Sequence, residues 1–134
     1  MSVTSNNVSE LEEWLSRPTP QLEQDFSILQ GDLLILGAGG KMGPTLARMA
    51  HRALPAGSKV MAVSRFSSPA VVEQLEAEGI EVHRCDLLDR DAVARLPDAA
   101  HVIYMAGQKF GTTNASERLW MMNAVMPSIV AKRY

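Results

Sequence analysis

From Leu33 the chain runs LLILGAGGKMGPTLARMA: a short apolar run drops into a cluster of glycines, and a helical pattern follows at once. No other stretch restricts the fold as much. Leu33 to Leu36 is apolar without alternation, as expected of a strand buried on both faces. Such a strand needs cover on each side. Lys41 to Leu54 offers part of it, with Leu46, Met49, Ala50 and Ala53 at helical spacing. A buried strand that feeds a helix across a tight glycine turn is the opening of a strand–helix–strand unit.

The same alternation continues downstream. Lys59 to Val63 predicts a second strand, and Pro69 to Glu78 a helix that stops at Gly79. Ile80 to His83 is a short third strand. Leu88 to Leu96 is a helix capped at Asp86 or Asp89, and His101 to Met105 is a fourth strand. Ser116 to Lys132 is a long helix containing Pro127. Strict alternation from Asp32 onward means an α/β fold, a doubly wound parallel sheet of about four strands with helices on both faces. Right-handed crossovers then give the spatial order 3-2-1-4. Pro127 has no N–H for the carbonyl of Asn123, so the last helix is expected to kink and leave that carbonyl free.

Ahead of Asp32 the pattern differs. Residues 1–8 are polar and expected to fray. Ser9 to Glu12 has the S-x-x-E form of a capping box, with Leu11, Trp14 and Leu15 on one side of the helix it starts. Pro18 ends that helix by Arg17. Thr19-Pro20 opens a second helix, with Leu22, Phe26 and Leu29 as its apolar face. The chain therefore divides into a helical extension, 1–31, and an α/β unit, 32–134.

Bulk properties narrow the class. The 134 residues are 46% hydrophobic and 21% charged, ordinary for a soluble globular protein. A formal net charge of −2 gives no bulk attraction to nucleic acid. No apolar stretch approaches the roughly 20 residues of a membrane span. The start, MSVTSNNVSELEEW, lacks the basic and greasy regions of a signal peptide. The single cysteine, Cys85, allows no internal disulfide. A cytoplasmic location is expected.

Gly37, Gly40 and Gly43 are spaced G-x-x-G-x-x-G, with Gly39 as an extra glycine and Lys41 and Met42 between the last two. After a strand and before a helix, this spacing suits a dinucleotide pyrophosphate. One glycine permits the tight turn, one lets the backbone approach the pyrophosphate, and the last lets helix and strand pack closely. The helix N-terminus adds free N–H groups and roughly +0.5 of a charge. A phosphate-binding P-loop would need Ser or Thr after Gly40-Lys41, where Met42 stands. A glycine turn with no ligand is the plain alternative.

The end of the second strand bears on which dinucleotide. An NAD site would place an acid there for the ribose hydroxyls. This chain has Ser64-Arg65, which could hold a 2′-phosphate by hydrogen bond and charge. NADP is therefore expected in preference to NAD, unless Arg65 is an ordinary solvated arginine.

GAGGKMG after the first strand, CDLLD after the third, YMAG after the fourth and an Asn on the next helix resemble the short-chain dehydrogenase/reductase superfamily. The glycine spacing and Asp86-Leu87 are similar to its extended branch, the NAD(P)-dependent epimerases and dehydratases that act on nucleotide sugars. The resemblance covers about residues 32–131 and implies a Rossmann-like fold. It also implies that Gly37, Gly40 and Gly43 hold the pyrophosphate. Asp86 would accept from the adenine amino group with Leu87 beside the ring, and Met105, Ala106 and Gly107 would line the ribose side. Asn123 would hold a water through its main-chain carbonyl. For Asp86 a helix cap, and for Asn123 an ordinary proline kink, stay open as alternatives. Residues 1–31 depart from the family pattern.

The family's catalytic pair is Tyr-x-x-x-Lys. Here Tyr104 is followed at i+4 by Gln108, and Tyr134 is the last residue, so the pair is absent. His51, His83 and His101 have no metal-like spacing, and His83 with Cys85 lacks a second ligand pair, so no metal site is expected. Lys109 could face a substrate. Two accounts fit. One is the cofactor-binding portion of a longer epimerase, dehydratase or reductase, moving hydride at a hydroxyl-bearing carbon of a small molecule such as a nucleotide sugar. The other is a non-catalytic NAD(P)-binding sensor or interaction module, stabilised by its N-terminal helices or as a homodimer. An open fourth-strand edge favours the first, because such edges are normally covered.

Overall fold

The structure, a computed structural model, describes residues 7–108 and 116–134. Four strands, β1 (Leu33–Leu36), β2 (Val60–Ser64), β3 (Glu81–Arg84) and β4 (His101–Tyr104), form one parallel sheet in the order β3-β2-β1-β4. This is the predicted order. Leu33 stands between Val60 and His101, and Leu36 between Val63 and Tyr104. Ser64 pairs with Arg84 at the far end of β2.

The period of two along β1 divides the core. Leu33 and Ile35 face α3 (Gly43–Ala53) and α4 (Pro69–Ala77), where Ala47, Ala50, Val72 and Leu75 meet them. Leu34 and Leu36 face α5 (Arg90–Ala94) and α7 (Met126–Val130), against Val93, Met126, Ile129 and Val130. All four β1 residues are buried, which is why the run needs no polar alternation.

The N-terminal segment forms α1 (Val8–Leu15) and α2 (Pro20–Ser27). The cap of α1 is Asn7, whose Oδ1 accepts from the Glu10 N–H at 2.9 Å, and Ser9 lies inside the helix. Asn caps at least as well as Ser, and starting there lengthens the helix. Thr19 caps α2 as expected, accepting from the Leu22 N–H at 3.2 Å. Both helices lie against α3. Phe26 packs into the α3–α4 side of the core. Glu13 of α1 meets Arg52 at 2.7 Å and Arg48 at 3.1 Å, and Arg48 in turn meets Glu78 at 2.8 Å.

Two predicted helices end differently. The Leu88 to Leu96 helix contracts to α5, because Asp89 is its cap and accepts from the N–H groups of Asp91 and Ala92, both at 3.0 Å. The predicted single helix from Ser116 to Lys132 is three pieces: α6 (Ser116–Trp120), a π-helical turn (Met121–Val125) and α7. The Met126 N–H donates to the Met121 carbonyl, five residues back. Pro127 follows in the first turn of α7, where a missing N–H costs least. The proline is thus absorbed by widening one turn rather than by a simple kink.

Among the described residues, no helix is long and apolar enough to cross a membrane.

Candidate functional site

The C-terminal ends of all four strands open into one cleft of about 500 Å³. Such a crevice is where ligands bind in open α/β sheets, because helices cover the faces and only strand ends and their loops are free. Its walls come from the segments that follow the four strands: the glycine loop after β1, the turn after β2, and the loops after β3 and β4.

The glycine loop is tied down from beneath. The N–H groups of Gly37 and Ala38 both donate to the Val63 carbonyl, at 2.8 and 3.1 Å. Gly37 has φ +93°, and a Cβ there would lie 2.6 Å from the Ala106 nitrogen, so glycine is required on two counts. A Cβ on Gly43 would run into the Ala38 carbonyl, so Gly43 lets α3 start directly against the loop. Gly40 differs: a Cβ there would meet nothing nearer than the Gly37 carbonyl at 3.4 Å. Its surface faces the opening, where a ligand can approach the backbone.

The loop's amides divide in the same way. Gly40 donates to Gly37 and Gly43 donates to Gly40, closing the turns. Among the described residues, no carbonyl takes the N–H of Gly39, Lys41 or Met42. No side chain caps α3 at Met42 either. Unspent amides ahead of an uncapped helix form a cradle for an anion.

Ser64 and Arg65 stand at the end of β2, and both line the cleft with Phe66 and Ser67. A Cβ on Gly39 would lie 2.6 Å from Ser64 Oγ, so this turn packs tightly on the glycine loop. Phe66 takes φ +46°, a left-handed conformation that costs a bulky residue about 1–3 kcal/mol. The residue is 5% exposed and belongs to the α3–α4 core, which offsets that cost. Arg84, on β3, donates from Nη1 to the Phe66 carbonyl at 2.8 Å and the Arg65 carbonyl at 3.3 Å.

Beyond β3, Cys85, Asp86 and Leu87 form the next wall. Asp86 Oδ1 accepts from the Leu88 N–H at 3.0 Å, making a tight side-chain turn and not a helix cap. Leu87 is buried beside it. Burial, then the charges of Asp86 and Asp89, pushes the Cys85 thiol up, so it stays protonated at neutral pH and is a poor nucleophile.

After β4, Met105, Ala106 and Gly107 complete the lining, with Met122 and Met126 from the last helix. Asn123 sits in the π turn and holds this loop by its side chain. Its Oδ1 accepts from the Gln108 N–H at 3.0 Å, and its Nδ2 donates to the Gln108 carbonyl at 2.8 Å. Burial pushes the Tyr104 phenol up.

The cleft thus brings together Gly37, Gly39, Gly40, Ser64, Arg65, Asp86, Leu87, Met105, Ala106 and Gly107. Lys41, Met42, Gly43 and Asn123 do not line it. Lys41 and Met42 offer backbone amides at its edge, Gly43 packs below, and Asn123 braces the β4 loop. Lys109 lies outside the described residues. Sequence reasoning missed Phe66, Ser67, Cys85, Met122 and Met126. Phe66, Ser67 and Cys85 are chain neighbours of named residues and could have been found by extending them. Met122, next to Asn123, could have been found the same way, but Met126 could not, because a tertiary crossing brings it to the sheet.

Residues 33–132 match the family model described as NAD dependent epimerase/dehydratase family. No curated protein sequence matches at a significant level. Among solved structures, the UDP-Glc/GlcNAc 4-epimerase from the human pathogen Campylobacter jejuni aligns at 19% identity and TM-score 0.65, covering 78% of this chain and 33% of that one. Pen from Bacillus thuringiensis aligns at 20% identity and TM-score 0.65, covering 81% and 35%. The Pseudomonas aeruginosa RhlG/NADP active-site complex aligns at 18% identity and TM-score 0.62, covering 81% and 46%. At these identities the likeness is one of fold. The chain spans less than half the length of each.

Proposed function

Because the chain belongs to the NAD-dependent epimerase/dehydratase family, we propose that its cleft binds a nicotinamide dinucleotide, and NADP(H) in preference to NAD(H). The observation that carries the preference is Ser64-Arg65 at the end of β2, on the cleft wall, where an NAD site would present an acid. A carboxylate there would repel a 2′-phosphate, whereas a guanidinium and a hydroxyl attract it.

The chain's own residues fit such a ligand. The open surface of Gly40 and the unspent amides of Gly39, Lys41 and Met42 suit the pyrophosphate. Asp86 keeps Oδ2 without a hydrogen bond among the described residues, which suits the adenine amino group, and Leu87 gives the ring an apolar neighbour. Met105, Ala106 and Gly107 line the ribose side, and Asn123 keeps that loop in place through Gln108. When bound, a nicotinamide supplies hydride chemistry at its C4.

For the protein as a whole we propose hydride transfer at a hydroxyl-bearing carbon, with a nucleotide sugar as the substrate class. The Campylobacter jejuni neighbour, named for a UDP-sugar 4-epimerase, supports that class. These 134 residues contain no Tyr-x-x-x-Lys, so the role proposed for this chain is to bind and orient the cofactor.

Calorimetric titration with NADPH and NADH tests the proposal. NADPH is expected to bind more tightly, and Arg65→Asp to weaken NADPH about tenfold or more while barely moving NADH. Binding of neither at about millimolar concentration refutes the cofactor reading. An unchanged NADPH-to-NADH ratio in Arg65→Asp removes Arg65 as the basis of the preference, and a parent that binds both cofactors equally refutes the preference.

A further inference from the structure

We propose that Arg84 is a positioning residue for Arg65, and so sets the discrimination between phosphorylated and unphosphorylated dinucleotides without touching either. This rests on the NADP reading above. The ladder between β2 and β3 ends at Ser64, whose carbonyl accepts from the Cys85 N–H at 3.0 Å. Past that rung the chain turns away through Arg65, Phe66 and Ser67, with no strand partner among the described residues. Two devices hold the turn in its left-handed form at Phe66. One is the buried Phe66 ring. The other is Arg84, which stands opposite Ser64 and reaches forward to the carbonyls of Arg65 and Phe66.

Those carbonyls flank Phe66 on both sides. A charge-assisted donor shared between them fixes the two peptide planes, and with them the direction in which the Arg65 side chain leaves the backbone. Among the described residues neither Arg65 nor Arg84 has a carboxylate partner. The Arg84 donor is spent on the turn. Arg65 stays uncommitted on the cleft wall, held toward an anion before one arrives, which lowers the ordering cost of binding. The ring alone anchors Phe66 but does not orient the peptide before it, so the carbonyl bond to Arg65 is the part that reaches the site.

The test measures dissociation constants for NADPH and NADH, and for adenosine 2′,5′-bisphosphate and AMP, which read the adenosine end alone. Arg84→Met should weaken the two 2′-phosphorylated ligands about tenfold and the other two less than about threefold. Arg84→Lys, which keeps a cationic donor, should retain most of the discrimination. Arg65→Met/Arg84→Met should discriminate no worse than Arg65→Met, because Arg84 acts through Arg65. Unchanged NADH and AMP binding reports an intact fold. If Arg84→Met loses its far-UV circular dichroism signature, Arg84→Gln carries the same comparison. Equal weakening of all four ligands, no loss of discrimination, or additive effects in the double variant each overturn the proposal. An Arg65→Met variant that discriminates like the parent overturns Arg65 as the basis of the NADP preference, and the positioning role with it. A parent that binds the phosphorylated and unphosphorylated ligands equally overturns the preference itself. Loss of discrimination in Arg65→Met but not in Arg84→Met overturns the positioning role alone.

Discussion

The hydroxyl of Tyr104 is buried near the end of β4 and has no hydrogen-bond partner among the described residues. A buried polar group left unmatched costs about 1–3 kcal/mol, so this residue opposes folding where its neighbours support it. Tyr104→Phe is expected to raise stability by about 1 kcal/mol, read as a higher urea midpoint with an unchanged slope. A lower midpoint would show that the hydroxyl has a partner after all. The glycines make the opposite case at the same scale. That Gly37, Gly40 and Gly43 do different jobs follows from their spacing. That a Cβ on Gly37 would collide with Ala106, while one on Gly40 would meet only the Gly37 carbonyl at 3.4 Å, does not, because Ala106 is remote in the chain.

At the scale of elements, the charge cluster joining α1, α3 and α4 is the clearest dependence on solution conditions. A hydrogen bond from Arg52, aided by the charges of Arg52 and Arg48, holds the Glu13 carboxyl below its ordinary value of 4.5, against a smaller opposing effect of burial. A group whose folded pKa is depressed stabilises the fold above its unfolded pKa and loses that contribution as pH falls through the folded one. Glu13→Gln should therefore lower the thermal midpoint at neutral pH. The gap to the parent should close as pH drops below 4.5 and should narrow in concentrated salt. A gap that stays constant with pH would mean that Glu13 acts by packing and not by charge. The S-x-x-E pattern showed that a helix begins near Ser9. Its anchor could not be read there, since Arg48 and Arg52 are separated from it by a full helix and a strand. The π turn was equally hidden. Pro127 announces a disturbed helix, but whether it kinks or widens depends on what the helix packs against, here the Leu34 and Leu36 face of the sheet, met by Met126, Ile129 and Val130.

At the scale of the whole molecule, strands and helices alternate so regularly that the sheet order follows from crossover handedness. The cleft then forms where strand ends meet their loops. A ligand seated there bridges segments from all four strands and stabilises them together. NADPH at about 100 times its dissociation constant should add about 2.7 kcal/mol, a rise of roughly 5–15 °C in thermal midpoint for a domain of this size. NADH at the same concentration should give a smaller rise. A midpoint insensitive to both would count against binding in the cleft.

What the amino-acid order determines by itself is local or periodic: the buried β1 run, the glycine turn, the alternation of elements and hence the topology, and the residues that adjoin each strand end. These follow from backbone sterics and from the spacing of apolar side chains, which act between chain neighbours. Only the tertiary structure decides which distant groups meet: Arg84 on the turn after β2, Asn123 on Gln108, Met122 and Met126 in the cleft wall, Glu13 on Arg52. Those contacts depend on helix crossing, strand register and the reach of long side chains, and no pattern in the sequence encodes them one residue at a time.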